Sequence, residues 1–200
     1  LFQANQDLDL LGSISSQPFT GGRGAAIDIG TTLDVHIGTG ITTIPGSISL
    51  DSQTLASFGA ESLLIGGKRL RTADGTGIET TSGSVTVDNT DSVLSAKDLI
   101  LVARNELTLA EGSAISSTGT STFAETLTLT GNGALVRVSA GNPQTIRNGV
   151  TNSTSPLLTV SCRFAGTIWS KAGFPSFPAA CSAHRVLCRD IAVVVVLLWR

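Results

Sequence analysis

Two stretches, Gly46-Ser-Ile-Ser-Leu-Asp51 and Gly83-Ser-Val-Thr-Val-Asp88, decide the fold prediction. Both begin with Gly-Ser, alternate apolar with hydroxyl residues, and end at an aspartate. Alternation with a period of two is typical of a strand that buries one face. Aspartate is common where a strand gives way to a turn. The two stretches therefore predict short strands that repeat along the chain.

The pattern recurs through the first 160 residues at intervals near 20. Ile27 and Ile48 are 21 residues apart, and Val85, Leu107 and Leu127 follow one another at intervals of 22 and 20. We interpret the 37 residues between Ile48 and Val85 as two shorter units. Such a repeat predicts a β-solenoid, because each coil can bury its apolar side chains only against its neighbours. An antiparallel sandwich or barrel is the alternative, since it also shows regularly spaced strands.

The alternation also predicts which side chains form the core. Apolar residues at every second strand position are expected to face inward, with serine and threonine between them facing solvent. The predicted inward residues are Ile27, Ile29, Ile48, Leu50, Leu63, Ile65, Val85, Val87, Leu99, Leu101, Leu107, Leu109, Leu127 and Leu129.

The composition agrees with an all-β protein of one domain. Serine and threonine number 48 of 200 residues, whereas lysine numbers 3 and glutamate 5. The residues that usually cover exposed helices are therefore scarce. A hydrophobic content of 41% argues against disorder. The net charge of −2 gives no basic surface for nucleic acid and no polybasic membrane patch.

Residues 161–200 differ in kind from residues 1–160. All three cysteines and both tryptophans lie after residue 160, and the net charge changes from −6 to +4. We predict a β-solenoid repeat region over 1–160 and an irregular, atypical tail over 161–200. The favoured interpretation is an out-of-frame or otherwise non-native tail that adds no coils in register; a genuine small cap is the alternative. Its apolar run, Ile191–Trp199, is too short to span a membrane as a helix and is expected to lie against an open strand edge.

Four segments of the repeat region resemble the repeats of filamentous haemagglutinin-like large exoproteins of Gram-negative bacteria. They are Ser62–Arg69, Val85–Leu94, Asp98–Ser113 and Gly131–Ser139, and the resemblance covers about residues 8–160. It implies a right-handed parallel β-helix that is secreted through an outer-membrane transporter by a two-partner route. It also implies display on the bacterial cell surface as a fibre or adhesin that contacts surface glycans or proteins of host or neighbouring cells. This chain would then be a structural repeat segment of a longer protein.

The alternative function is a carbohydrate-active β-helix enzyme, either a polysaccharide lyase or a hydrolase. Such enzymes use clustered carboxylates and a basic residue on one face. Convergence of several outward carboxylates with Arg104 or Arg137 in a groove would favour the enzyme, and a smooth Ser/Thr face would favour the scaffold. Backbone hydrogen bonding at turns explains Asp51 and Asp88 without catalysis. The candidate carboxylates are Asp28, Asp34, Asp51, Asp74, Asp88 and Asp91.

Histidine and cysteine give two further hypotheses. Asp34 and His36 lie on one face of a strand, where a carboxylate could orient an imidazole, although a solvated strand face accounts for the pair. The spacing Cys181-x2-His184-x3-Cys188, with Cys162 further back, offers the ligand types of a zinc site. Three cysteines are an odd number, so at least one has no disulfide partner within the chain.

Two glycine-containing segments have weaker signals. Thr72–Gly77 is similar to one turn of a calcium-binding repeat, but such repeats bind calcium in tandem. Gly21–Gly24 lacks the lysine and the helix of a phosphate-binding loop. Both are interpreted as turns. The sequence therefore predicts a non-enzymatic scaffold, and we assign it no catalytic, metal-binding or cofactor-binding residues.

Overall fold

Short runs of Val, Ile, Leu and Thr form strands between glycine-containing and polar turns, as their β propensity predicts. The computed structural model describes residues 1–4, 8, 14–16, 18–20, 22–73, 75–119, 126–129, 133–139, 145–147, 150–151, 161–164, 167–169 and 194–199. The described elements are β1 (Phe2–Ala4), β2 (Ala26–Thr31), β3 (Asp34–Gly38), β4 (Ser47–Asp51), α1 (Ser52–Ser57), β5 (Ser62–Ile65), β6 (Gly67–Thr72), β7 (Gly75–Thr80), β8 (Ser84–Asp88), β9 (Val93–Ala96), β10 (Asp98–Ala103), β11 (Glu106–Leu109), β12 (Ala114–Ser117), β13 (Leu127–Leu129), β14 (Gly133–Ser139), β15 (Thr145–Arg147), β16 (Val150–Thr151), β17 (Ser161–Phe164), β18 (Thr167–Trp169) and β19 (Val194–Trp199).

These strands form four small sheets. Sheet A has the order β1-β2-β5-β10-β14-β19, and sheet B has the order β17-β11-β8-β3-β4. Sheet C has the order β16-β15-β13-β7-β6, and sheet D has the order β18-β12-β9.

The prediction of a single right-handed parallel β-helix is wrong. Parallel ladders such as β2-β5-β10 and β3-β8-β11 are present. The pairs β6–β7, β10–β14, β14–β19 and β15–β16 are antiparallel. A hairpin and a reversed strand interrupt the repeat, so the chain forms four sheets of mixed pairing. The purely antiparallel alternative does not describe this mixture either.

The repeated stretches that suggested the solenoid occupy equivalent places on either side of β3. Ile48 of β4 and Val85 of β8 both pair with Val35, one on each edge. The next strand continues the ladder, since Leu107 pairs with Val85. The sequence repeat therefore corresponds to parallel strands that pair in register, but only within these ladders.

The prediction of the core residues is confirmed. Every residue predicted to face inward is 6% exposed or less. Most belong to the first apolar cluster, which is formed by sheets A, B and D together with α1. Leu127 and Leu129 belong instead to a second apolar cluster, which lies between sheet A and sheet C and also contains Leu64, Ile78, Ile100, Val102 and Leu135.

Sheet A is the central layer because it contributes to both clusters. The strands β5, β10 and β14 are buried at every position. In β10, Leu99 and Leu101 face the first cluster, whereas Ile100 and Val102 face the second. Strands buried on both faces have continuous apolar runs instead of alternation.

The interpretation of the interval between Ile48 and Val85 as two shorter units is also wrong. It contains α1, β5 and the β6–β7 hairpin. The helix begins where Asp51 accepts a hydrogen bond from the Thr54 N–H at 2.8 Å, and it buries Leu55.

Within the described residues, the structure has no helix that is long and apolar enough to cross a membrane.

The hairpin leaves sheet A at Gly66, and the geometry there requires glycine. Its φ is +92°, and a Cβ atom would lie 1.9 Å from the carbonyl oxygen of Val102. Its carbonyl oxygen accepts hydrogen bonds from the backbone N–H groups of Thr81 and Ser82 at 2.8 and 2.9 Å. The close approach places the hairpin directly on β10.

The expectation that the tail adds no coils in register is wrong, because two of its strands continue parallel ladders of sheets B and D. The strand β17 pairs in parallel with β11, and β18 pairs in parallel with β12. The strand β19 pairs with β14, as expected for an apolar run that lies against a strand edge. An out-of-frame or non-native origin of residues 161–200 stays a prediction.

A turn after β8 has a residue in the left-handed region. Asp91 has a φ of +64°, in a turn where the Ser92 N–H donates to the Asn89 carbonyl oxygen. The turn after β11 has Gly112 there, with a φ of +78°. Residues with a Cβ atom are strained in this conformation. The backbone of Asp91 is therefore higher in conformational energy than that of Gly112.

We therefore expect Asp91→Gly to raise the free energy of unfolding by about 0.5–1 kcal/mol, measured by urea denaturation. Asp88→Gly is the matched control, because Asp88 is an exposed aspartate in regular strand backbone. The control should lower the free energy of unfolding by about the same amount. Equal destabilisation by both changes would contradict the assignment of strain to Asp91.

Candidate functional site

Among the described residues, the largest network of hydrogen-bonded and ion-paired side chains lies inside the protein. Five side chains, which we call the polar chain, connect β2, β5, β6, β10 and β14. They are Asp28, Ser62, Arg69, Asp98 and Arg137. The set contains two carboxylates and two guanidinium groups, so its charges balance.

The deepest part of the polar chain is a salt bridge between Arg137 and Asp98. The Nε–H of Arg137 donates to Oδ1 of Asp98 at 2.8 Å, and an Nη2–H of Arg137 donates to Oδ2 of Asp98 at 3.0 Å. Both side chains are 0% exposed. A bidentate pair of this kind is strong, yet removing two charges from water costs several kcal/mol per ion. Each charge therefore depends on its partner.

Ser62 links this salt bridge to Arg69. The Ser62 hydroxyl donates to Oδ2 of Asp98 at 2.8 Å and accepts from an Arg69 guanidinium N–H at 2.6 Å. Arg69 also forms an ion pair with Asp28, and its backbone N–H donates to Oδ2 of Asp28 at 2.8 Å. The strand β6 is the end of sheet C, so Asp28 satisfies a backbone group at a sheet edge.

The described carboxylates that were candidates for catalysis lie in different structural settings. Asp34 accepts the Ser84 backbone N–H at 2.7 Å, and Asp28 belongs to the polar chain. Asp51 caps α1, and Asp91 lies in its strained turn. The fifth carboxylate, that of Asp88, is exposed at the end of β8, whereas Asp74 lies outside the described residues.

The two arginines of the enzyme hypothesis lie in different environments. Arg137 faces Asp98 in the protein interior. Arg104 is exposed, and its guanidinium donates to the carbonyl oxygen of Thr81 at 2.5 Å. The structure therefore does not bring Arg104 and Arg137 together with outward carboxylates in one groove.

His36 lies in a row of polar residues on sheet B. Its neighbours in register are Ser49 on one side and Thr86 on the other, and Thr108 follows Thr86. All four are partly exposed. Because neighbouring strands are about 4.8 Å apart, these side chains form a regular ladder on the outer face of sheet B.

The remaining hypotheses involve surface depressions and metal ligands. One shallow depression has a volume of about 10 Å³, room for about one water molecule, and is lined by Ile41, Ser49, Leu50, Asp51, Thr54 and Leu55.

The described part of the chain holds no group of three or more His, Cys, Asp or Glu residues that could bind a metal ion. Cys162 lies in β17, while Cys181, His184 and Cys188 lie outside the described residues. Gly21 is outside them too.

The polar chain was not predicted from the sequence. One signal was present, because Arg137 interrupts the apolar run of β14 and a buried arginine needs a carboxylate. The sequence did not indicate that Asp98 is the partner, since the two residues are 39 positions apart and lie on antiparallel strands.

We predict that Arg137→Met lowers the free energy of unfolding by about 3–5 kcal/mol, because it leaves the Asp98 carboxylate buried without its counterion. Lys68→Met is the matched control, since the Lys68–Glu79 pair is 27% and 49% exposed. The control should cost about 1 kcal/mol or less in urea denaturation. Similar losses for the two variants would contradict this account.

The pKa of Asp51 generates a pH prediction. Burial acts to raise this pKa, but hydrogen bonds from the Thr54 hydroxyl and the backbone N–H groups of Gly40, Thr54 and Gln53 outweigh it, so the pKa lies below its ordinary value. A lowered pKa stabilises the folded state above the unfolded pKa of about 4, and this stabilisation is lost as the pH falls through the folded value.

Asp51→Ala should therefore cost about 1 kcal/mol near neutral pH, and the cost should shrink as the pH falls below about 4. Urea denaturation of both proteins between about pH 7 and pH 2 measures this difference. Asp51→Asn is the control, because asparagine caps a helix but does not titrate. A cost of Asp51→Ala that does not change with pH would refute the assignment.

Comparisons with protein-family models, with curated proteins and with solved structures find no match to this chain.

Proposed function

We propose that this chain is a structural repeat segment of a secreted or surface-displayed bacterial adhesin of the filamentous haemagglutinin-like type. In this role it holds binding regions of a longer fibre away from the cell. The proposal rests on the resemblance of Ser62–Arg69, Val85–Leu94, Asp98–Ser113 and Gly131–Ser139 to that family.

The observation that best supports a scaffold role is the pairing of one continuous core with a regular polar surface. The first cluster extends through strands of sheets A, B and D. Outside it, the polar ladder of Ser49, His36, Thr86 and Thr108 repeats from strand to strand. Such an arrangement gives a stiff body that exposes hydroxyl groups to solvent.

The contacts of the charged groups support the same role. Asp28, Asp34, Asp51 and Asp98 each bond to protein groups that fix a strand or a helix end. These carboxylates position backbone elements and do not converge with Arg104. The geometry therefore gives more support to the scaffold than to the polysaccharide lyase or hydrolase.

Surface display is tested on the bacterium that encodes the chain. Antibodies raised against residues 22–119 should label intact cells, and external protease should remove that labelling. An antibody against a cytosolic protein is the control and should label permeabilised cells only. If labelling of this chain also required permeabilisation, the proposal of surface display would be contradicted.

The scaffold role is tested on the purified chain. It should leave polysaccharides of several classes uncleaved, as measured by new reducing ends and by the absorbance of unsaturated uronates. Cleavage that is lost in both Asp34→Ala and Asp88→Ala would contradict the scaffold role and favour the enzyme.

A further inference from the structure

The apolar residues of β14 do not by themselves fix the register with which this strand pairs with β10. Ala134, Val136 and Val138 face the first cluster, and Leu135 faces the second. Because both faces are buried and apolar, the hydrophobic pattern that normally fixes which face of a strand points inward is weak here. Arg137 is the residue that makes the two faces different.

A shift of β14 by one residue relative to β10 would change the surroundings of Arg137 most. It would turn Arg137 to the other face of sheet A, toward the first cluster and away from Asp98. The guanidinium and the Asp98 carboxylate would then lie on opposite faces of the sheet, and their salt bridge could not form. An unpaired buried charge of this kind costs several kcal/mol.

A shift of two residues keeps the faces, and in one direction it breaks the pair. In the observed register Arg137 lies opposite Ile100 and reaches diagonally to Asp98. A shift that places Arg137 opposite Val102 would carry it about 7 Å further from Asp98 along the strand. The opposite shift would place Arg137 directly across from Asp98, where a cross-strand pair of opposite charges can still form. The salt bridge therefore discriminates against the first of these two shifts.

We propose that the Arg137–Asp98 salt bridge selects the face with which β14 joins sheet A and opposes a register shift that carries Arg137 toward Val102. The pair acts through specificity, because each of these shifts leaves both buried charges unpaired. Ser62 supports the pair from β5, since its hydroxyl donates to Asp98, and Arg69 on β6 donates in turn to Ser62.

The test compares registers with engineered cysteine pairs. The background carries Cys162→Ser, Cys181→Ser and Cys188→Ser. Leu101→Cys with Val136→Cys reports the observed register, in which these two residues pair. Leu101→Cys with Val138→Cys reports a shift of two residues. The disulfide fraction of each is measured by mass spectrometry in a glutathione redox buffer.

With Arg137 and Asp98 intact, the observed-register pair should form the disulfide and the shifted pair should not. In Asp98→Asn/Arg137→Met, where asparagine can still accept the Ser62 hydroxyl, crosslinking of the shifted pair should rise by about tenfold or more. Leu135→Ala is the matched control, because it removes packing beside Arg137 but keeps the salt bridge. Its shifted pair should stay uncrosslinked.

Three results would overturn the proposal. The first is an unchanged crosslinking pattern in Asp98→Asn/Arg137→Met. The second is an equal rise in the Leu135→Ala control, because general destabilisation would then explain the effect. The third is loss of strand signal in the circular dichroism spectrum of the double variant, because the pair would then supply stability and not selection.

Discussion

Burial of the strands β5, β10 and β14 of sheet A on both faces is the constraint that shapes the whole structure. The strands β5, β10 and β14 have no exposed position, so every polar group in them needs a partner within the protein. The backbone groups are satisfied by neighbouring strands. Asp98 and Arg137, the two charged side chains of these three strands, form a salt bridge with each other.

This constraint explains the arrangement of the other sheets. Sheets B and D cover one face of sheet A and form the first cluster with it, so their own outer faces carry serine, threonine and charged residues. Sheet C covers the other face through the second cluster. Its edge strand β6 is attached to sheet A by Arg69, which contacts both Asp28 and Ser62.

The sequence was sufficient to predict the strands that bury one face. Alternation in Val85–Val87 and Leu107–Leu109 identifies buried residues because the residue between them faces solvent. It fails for Leu64 and Ile100, which fill the second face of sheet A, because continuous apolar runs carry no period. The reversal of β14 was not predictable, since a continuous apolar run does not indicate whether a strand pairs in a parallel or an antiparallel direction. The polar chain was missed because burial of Arg137 and its contact with Asp98 arise only from that reversed pairing.

We expect the strands of sheet A that are buried on both faces to form the most stable part of the protein. Native-state hydrogen exchange measures this directly, because the slowest amides report the last region to open. Amides that pair within β5, β10 and β14, such as those of Leu64, Ile100 and Val136, should exchange most slowly. Amides of Thr86 and Thr108 in sheet B should exchange faster. Faster exchange in sheet A than in sheet B would contradict the account.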